Sequence, residues 1–229
     1  MDFDALYQGR RVRIDSEGPE LDTIPWRLDG PQPLVVELVQ DGEFADAILE
    51  CGCGLGDNAL YLAEQGHKVT AVDLSPTAIE QDRAKAAARG LDVAFGVADA
   101  TVLDGVEGPF ATALDSALFH CLTDELRRDY LAALHRVCAP GARLHILCFP
   151  DTVNQLFPLP GHTDEASLRR DIGEHWSIDR LRLRQYTTSA TRDQMLAMAP
   201  ASTAMFDADS VDDQGRVLLP VWQISAVRA

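Results

Sequence analysis

Between residues 32 and 149 short apolar runs alternate with helix-length segments, and this alternation constrains the fold more than any other feature. The strand-like runs are Ala47–Leu49, Lys68–Val72, Leu91–Val97, Phe110–Leu114 and Arg143–Phe149. Helical signals flank and separate them. Pro31 and Pro33 open the run Leu34–Val39. Asp57–Gln65 carries Leu60, Leu62 and Ala63, and Gly66 stands where a helix stops. Ser75-Pro76 supplies an N-cap and a proline at the first helical position for a helix to Arg89, which Gly90 ends. Thr123-Asp124 opens a helix that keeps Leu126, Tyr130, Leu134 and Val137 near one face until Pro140-Gly141. Alternation of this kind predicts a doubly wound α/β fold, with parallel strands and helices on both faces.

The last third changes character. Thr163, Asp164 and Glu165 start a helix to about His175. Trp176–Thr187 and Val217–Val227 read as two final strands, an antiparallel pair that brings the sheet to seven. Thr188–Gly215 between them is rich in Ala, Ser, Thr and Asp and reads as a surface insertion with a short helix around Gln194–Ala199. The expected organisation is an N-terminal arm over 1–30 and one domain over 31–229, with 188–215 inserted.

Charge narrows the function classes. The 36 acidic residues outnumber the 20 basic ones, giving a net charge of −16 and a pI near 4.6. Nucleic acids and anionic membranes select a basic face, so neither is expected as a partner. No apolar run approaches the ~20 residues of a spanning helix, and the acidic start MDFDALYQGR lacks the pattern of a secretory leader. Cys51, Cys53, Cys121, Cys138 and Cys148 are odd in number and form no CxxC, which predicts reduced core residues in a cytoplasmic protein. No His, Cys and carboxylate cluster has metal-ligand spacing.

The sharpest motif is ILECGCGLG, Ile48–Gly56, with glycines at 52, 54 and 56. A glycine turn after a buried strand lets the backbone approach a nucleotide, and the following helix offers free N–H groups. A dinucleotide fingerprint needs glycine at 57, where Asp57 stands and repels a pyrophosphate. The Gly-Lys-Ser/Thr ending of a phosphate-binding P-loop is also missing. The turn therefore suits a nucleoside without phosphates. Asp73, ending the next strand, is placed to accept from ribose hydroxyls. Asp99, after the third strand, is placed for the exocyclic amine of adenine. Glu50 lies beneath the turn, placed to tie down the loop or a ligand ammonium. Carboxylates without an arginine clamp suit a cationic ligand.

Glu50–Gly56 as E-x-G-x-G-x-G, VTAVDLS at Val69–Ser75 and VADA at Val97–Ala100 together resemble the class I S-adenosylmethionine-dependent methyltransferases. The resemblance covers about residues 26–150. It implies a Rossmann-like seven-stranded sheet with one antiparallel strand, S-adenosylmethionine as cofactor and S-adenosylhomocysteine as product. IPWRLDGPQP (Ile24–Pro33), DSALFH (Asp115–His120) and LCF (Leu147–Phe149) are similar to the thiopurine S-methyltransferase-like enzymes and, more closely, to the actinobacterial heterocyclic toxin methyltransferases. In that subgroup the acid before the glycines is Asp; here it is Glu50. The resemblance implies cofactor contacts from Glu50, Cys51, Gly52, Gly54, Gly56, Asp73, Leu74, Asp99, Ala100, Asp115 and Ser116, with Trp26 and Gln32 covering the site.

The function implied is methyl transfer to nitrogen or oxygen of a small aromatic heterocycle, by a monomer or homodimer. Thiol or thiopurine S-methylation is the alternative within the class, and a non-catalytic cofactor-binding regulator the alternative outside it. A ring nitrogen needs no base, whereas a hydroxyl or thiol gains from deprotonation. His120, five residues past the fourth strand, is the candidate base, and Asp115 the candidate to orient it. Trp26, Phe119, Phe149 and Phe157 are the candidate aromatic wall for a flat acceptor.

Overall fold

A computed structural model describes residues 1–13, 20–21, 23–156, 158–198 and 210–228. The arm begins with α1 (Phe3–Tyr7), whose N-cap Asp2 accepts from the Ala5 N–H at 2.9 Å. The two-residue strands β1 (Val12–Arg13) and β2 (Glu20–Leu21) follow as an antiparallel pair. Then come α2 (Pro33–Gln40), β3 (Ile48–Cys51), α3 (Asp57–Glu64), β4 (Val69–Asp73), α4 (Pro76–Arg89), β5 (Val93–Val97) and β6 (Phe110–Ser116). A single 3₁₀ turn, Phe119–Cys121, leads into α5 (Asp124–Val137) and β7 (Cys138–Cys148). A second 3₁₀ turn (Asp151–Gln155), α6 (Glu165–Gly173), β8 (Trp176–Thr191), α7 (Arg192–Met198) and β9 (Arg216–Arg228) complete the order.

The large sheet runs β5-β4-β3-β6-β7-β9-β8. β3, β4, β5, β6 and β7 pair in parallel, and β9 lies antiparallel to both its neighbours, so it alone opposes the rest. The seven strands and the single reversed strand that the resemblance implied are both present. Strand order reverses between β3 and β6, where the chain winds first one way and then the other. Their carboxyl ends therefore open the crevice in which such sheets bind ligands.

Each face of the sheet is covered. Ile48 packs with Leu34 and Leu38 of α2, Leu60 of α3 and Ile79 of α4. Leu49 and Cys51 face the other way, onto Tyr130, Leu131 and Leu134 of α5 and Leu168 of α6. The period-two pleat thus sorts β3 residue by residue and sends Glu50 to the α2–α3 side.

Several expectations need adjustment. β6 continues through Asp115, so this acid is a strand residue rather than the start of a loop. Residues 188–198 lie at the surface but are partly built into the sheet and core. β8 extends to Thr191, α7 begins two residues earlier than predicted, and Ala190 and Met195 are buried in the main core. This stretch also carries the arm. The Ser189 N–H donates to the Pro25 carbonyl at 2.7 Å, and Met198 packs with Ala5, Leu6, Val12 and Leu21. The end of the predicted short helix, Ala199, lies outside the described residues.

Candidate active site

A cavity of about 870 Å³ opens at the carboxyl ends of β3, β4, β5 and β6, and α1, Ile24–Arg27 and Pro158–Pro160 enclose it. Its floor is the glycine turn. Gly52 (φ +67°) donates to the Val72 carbonyl at 2.8 Å, and Gly54 (φ +55°) donates to Asp73 Oδ2 at 2.8 Å. Asp73 Oδ1 accepts from the Ser75 N–H at 2.9 Å. Burial raises the Asp73 carboxyl above its ordinary range, and these backbone N–H groups work against the rise.

The three glycines answer to three different neighbours. A Cβ on Gly52 would lie 2.8 Å from Leu118 Cβ, and one on Gly54 3.0 Å from the Tyr7 hydroxyl. A Cβ on Gly56 (φ +69°) would lie 2.7 Å from Asp82 Cγ. Gly56 is therefore a packing glycine that does not line the cavity, which corrects the cofactor contact expected of it. Asp82 is fully buried, and burial lifts its carboxyl to about 7. Lys85 lies 3.6 Å from both Asp82 and Asp57 and donates to the Leu55 carbonyl, bracing the turn from behind.

Glu50 lines the cavity while only 1% exposed. Its Oε1 accepts from Asn58 Nδ2 at 3.1 Å, and Oε2 has no partner. Burial, helped by the nearby Asp82 and Asp57, raises its carboxyl to about 8. Asn58 Oδ1 accepts from the Gln32 N–H at 2.9 Å, and Gln32 Nε2 donates to the Thr187 carbonyl at 2.9 Å. That leaves Gln32 Oε1 unpartnered, as is Ser116 Oγ. Leu74, 69% exposed, and Asp99, Ala100 and Trp26 lie on the rim. Asp99 Oδ1 is held by the N–H and hydroxyl of Thr101.

Three further expectations are corrected. Cys51 points to the α5 side of the sheet and is fully buried there, away from the cavity. Asp115 does not orient His120. Its Oδ1 accepts from the N–H groups of Leu118 (2.9 Å) and Phe119 (3.2 Å), and its other oxygen faces the Tyr130 side, so it closes the turn after β6. Burial raises its carboxyl to about 7. Phe119 is fully buried under α5, with the Arg127 guanidinium 5.0 Å from its ring centroid, and is no part of the cavity wall. Phe157 lies outside the described residues.

His120 and Phe149 do meet in the cavity, with ring centroids 4.6 Å apart, and Tyr186 stands edge-on to Phe149 at 5.3 Å. His120 Nδ1 accepts from the Phe149 N–H at 3.3 Å. Burial, reinforced by the Arg127 charge, lowers its imidazole to about 3.

Sequence reasoning missed Tyr7, Phe3, Asn58, Cys121, Tyr186 and Thr188, which also line the cavity. Tyr7 and Phe3 do have a sequence signal: FDALY follows Asp2, an N-cap, and places aromatics four apart on a short helix. Asp4 then fixes that helix by accepting from the Ser75 hydroxyl (2.5 Å) and the Thr77 N–H (3.1 Å).

Comparison with known proteins adds relatives to this geometry. Residues 48–141 match a family model described as a methyltransferase domain. The chain is 39% identical over 182 residues to 2-heptyl-1-hydroxyquinolin-4(1H)-one methyltransferase of Mycobacteroides abscessus, covering 77% of each chain. Among solved structures it is similar, at 33% identity and a TM-score of 0.78, to a protein from work on the conversion of a disulfide bond into a thioacetal group during echinomycin biosynthesis. That match covers 99% of this chain and 91% of the other. Magnesium protoporphyrin IX methyltransferase of Synechocystis, solved with bound S-adenosylmethionine, shares the fold at 20% identity. Its TM-score is 0.58, with 86% of this chain and 76% of the other covered.

Proposed function

The chain belongs to the methyltransferase family, and on that premise we propose that it moves the methyl group of S-adenosylmethionine to an oxygen or nitrogen of a small aromatic heterocycle. One observation carries this reading. A single cavity joins a carboxylate-lined glycine turn to an aromatic wall, and three of its buried polar atoms lack partners.

The residues present fit the cofactor. An α-ammonium group brings donors for Glu50 Oε2 and Gln32 Oε1, and an α-carboxylate accepts from Ser116 Oγ. Asp73 keeps acceptor capacity for ribose hydroxyls beyond its two backbone bonds. Leu74, Ala100 and Leu118 give a flat base apolar surface, with Asp99 beside them for an exocyclic amine. When bound, the sulfonium supplies an activated methyl carbon.

The chain's own work is to bind, align and exclude water. Glu50, Asp73 and Asp99 favour a positive donor electrostatically. Phe149, Tyr186 and Trp26 offer faces for an aromatic acceptor, and α1 with Pro158–Pro160 shields the space between. Alignment alone supplies effective molarities on the order of 10⁵–10⁸ M in well-oriented reactions. The name of the Mycobacteroides abscessus relative supports a hydroxylated heterocycle as acceptor. A sulfur acceptor is the second reading, favoured by the relative associated with a disulfide-to-thioacetal conversion.

Incubation with methyl-labelled S-adenosylmethionine and a panel of hydroxyquinolones, phenols, N-heterocycles and thiols, read by mass spectrometry, tests the reading. Labelled product from an oxygen or nitrogen heterocycle is expected. Product from thiols alone selects the second reading. Tight cofactor binding with no product from any acceptor indicates a non-catalytic binder.

A further inference from the structure

We infer that His120 serves the acceptor as a fixed, neutral Nε2–H donor and not as a base, so that acceptors react already ionised or through a free lone pair. The inference rests on the methyl-transfer reading and goes beyond it in assigning the form in which the acceptor reacts.

The geometry is specific. An N–H donated to Nδ1 requires a lone pair on that nitrogen. The neutral ring then carries its proton on Nε2, the nitrogen left available to the cavity that His120 lines. Nε2 accordingly has no lone pair with which to take a proton from substrate. Making it a base requires the other tautomer, which loses the Phe149 bond and sets Nδ1–H against the Phe149 N–H. The ring is also held in place, 6% exposed and packed at a tilt of 36° against Phe149.

The surroundings oppose the charged form as well. Arg127 of α5, whose Nε donates to the Phe119 carbonyl at 3.0 Å, is the charged group that acts on the imidazole. From the same 3₁₀ turn, burial holds the Cys121 thiol protonated, up to about 12. Asp115 is spent on the Leu118 and Phe119 N–H groups.

A donor at this place has a chemical consequence. On the attacking oxygen it would stabilise the anion more than the transition state, in which that charge disappears. Its productive partner is a second, conjugated oxygen of the acceptor, such as a ring carbonyl, where it fixes orientation. In the reaction the lone pair of the ionised heteroatom forms the bond to the methyl carbon. The carbon–sulfur bond breaks with its pair left on sulfur, and no proton moves.

Wild type, His120→Gln and His120→Leu are assayed with 1-hydroxyquinolin-4-one and with phenols of graded acidity. With the cofactor saturating at every pH, the profile of kcat/KM for the acceptor should inflect at each acceptor's own pKa and move with it. His120→Gln, which retains an N–H donor, should keep that profile. His120→Leu should lose roughly ten- to a hundredfold in kcat/KM on the quinolone, with cofactor affinity unchanged. An inflection at about pH 6–7 that is common to all acceptors and vanishes in His120→Gln overturns the inference. The nitrogen-15 spectrum of the wild-type imidazole decides independently: pyrrole-type Nε2 and pyridine-type Nδ1 support it, and the reverse refutes it. That spectrum stands even if no acceptor is methylated, an outcome that would sink the methyl-transfer reading instead.

Discussion

Cofactor binding should release a proton, and the proton should come from Glu50. Its carboxyl sits at about 8 in the ligand-free protein because it is buried, with one oxygen unpartnered. A ligand ammonium at that oxygen favours the charged form, so binding must strip the proton. At pH 7 a group with that pKa is ~0.9 protonated, so about 0.9 proton should leave per ligand bound. Affinity should then rise about fiftyfold between pH 6 and pH 8. Titration calorimetry with S-adenosylhomocysteine, in two buffers of different ionisation enthalpy, measures the release directly. Glu50→Gln should abolish both the release and the slope. The same proton sets stability. The unfolded carboxyl ionises near 4.5 while the folded one holds its proton to about 8, so the folded state binds more protons in that window and loses stability as pH rises through it. The melting temperature of ligand-free Glu50→Gln should therefore gain on wild type between those pH values. Proton release near zero at pH 7, or an equal pH slope in Glu50→Gln, would refute the reasoning.

Asp73→Ala should weaken S-adenosylhomocysteine binding at least tenfold in the same calorimetry, because it removes a ribose acceptor and frees the Gly54 and Ser75 N–H groups together. Gly56→Ala should destabilise by about 1–3 kcal/mol from its φ alone, and more from the Asp82 contact. Adding Asp82→Ala should recover the contact part, so that the two changes are non-additive in urea denaturation. Arg127→Met should cost about 2–5 kcal/mol in the same assay, since it strips donors from the Phe119 and His162 carbonyls. It should also raise KM for the acceptor, because those carbonyls belong to the His120 turn and to the chain just after Pro160.

The strands and helices of residues 33–149 were legible because local chemistry and global packing agree there. Ser75, Pro76 and Gly90 bound α4 where propensity places them, and Thr123 caps α5. The acids at strand ends follow from the same agreement: Glu50 lies in β3, Asp73 ends β4 and Asp99 lies two residues past β5. Facing was harder to read. Cys51 and Glu50 are neighbours in sequence, yet the pleat sends one to α5 and the other to the cavity. Phe119 and His120 part in the same way, because a 3₁₀ turn rotates successive side chains by about a third of a circle. Tyr186 and Thr188 were hidden because an edge strand shows no local mark of the cavity it borders. The arm itself was expected, but its anchors were hidden because Ser75, Thr77 and Ser189 lie about 70 to 165 residues from the arm residues they hold.

The three close approaches at Gly52, Gly54 and Gly56 carry a consequence for how such chains diversify. Each glycine is matched to one distant side chain: 52 to Leu118, 54 to Tyr7 and 56 to Asp82. In a set of related sequences these pairs should covary. A larger residue at 56 should accompany a smaller one at 82, and a shortened arm should lift the steric limit at 54, leaving only the preference its positive φ gives to glycine. The motif then reads as three separate pairwise constraints rather than one signature, and a chain can relax one without surrendering the others.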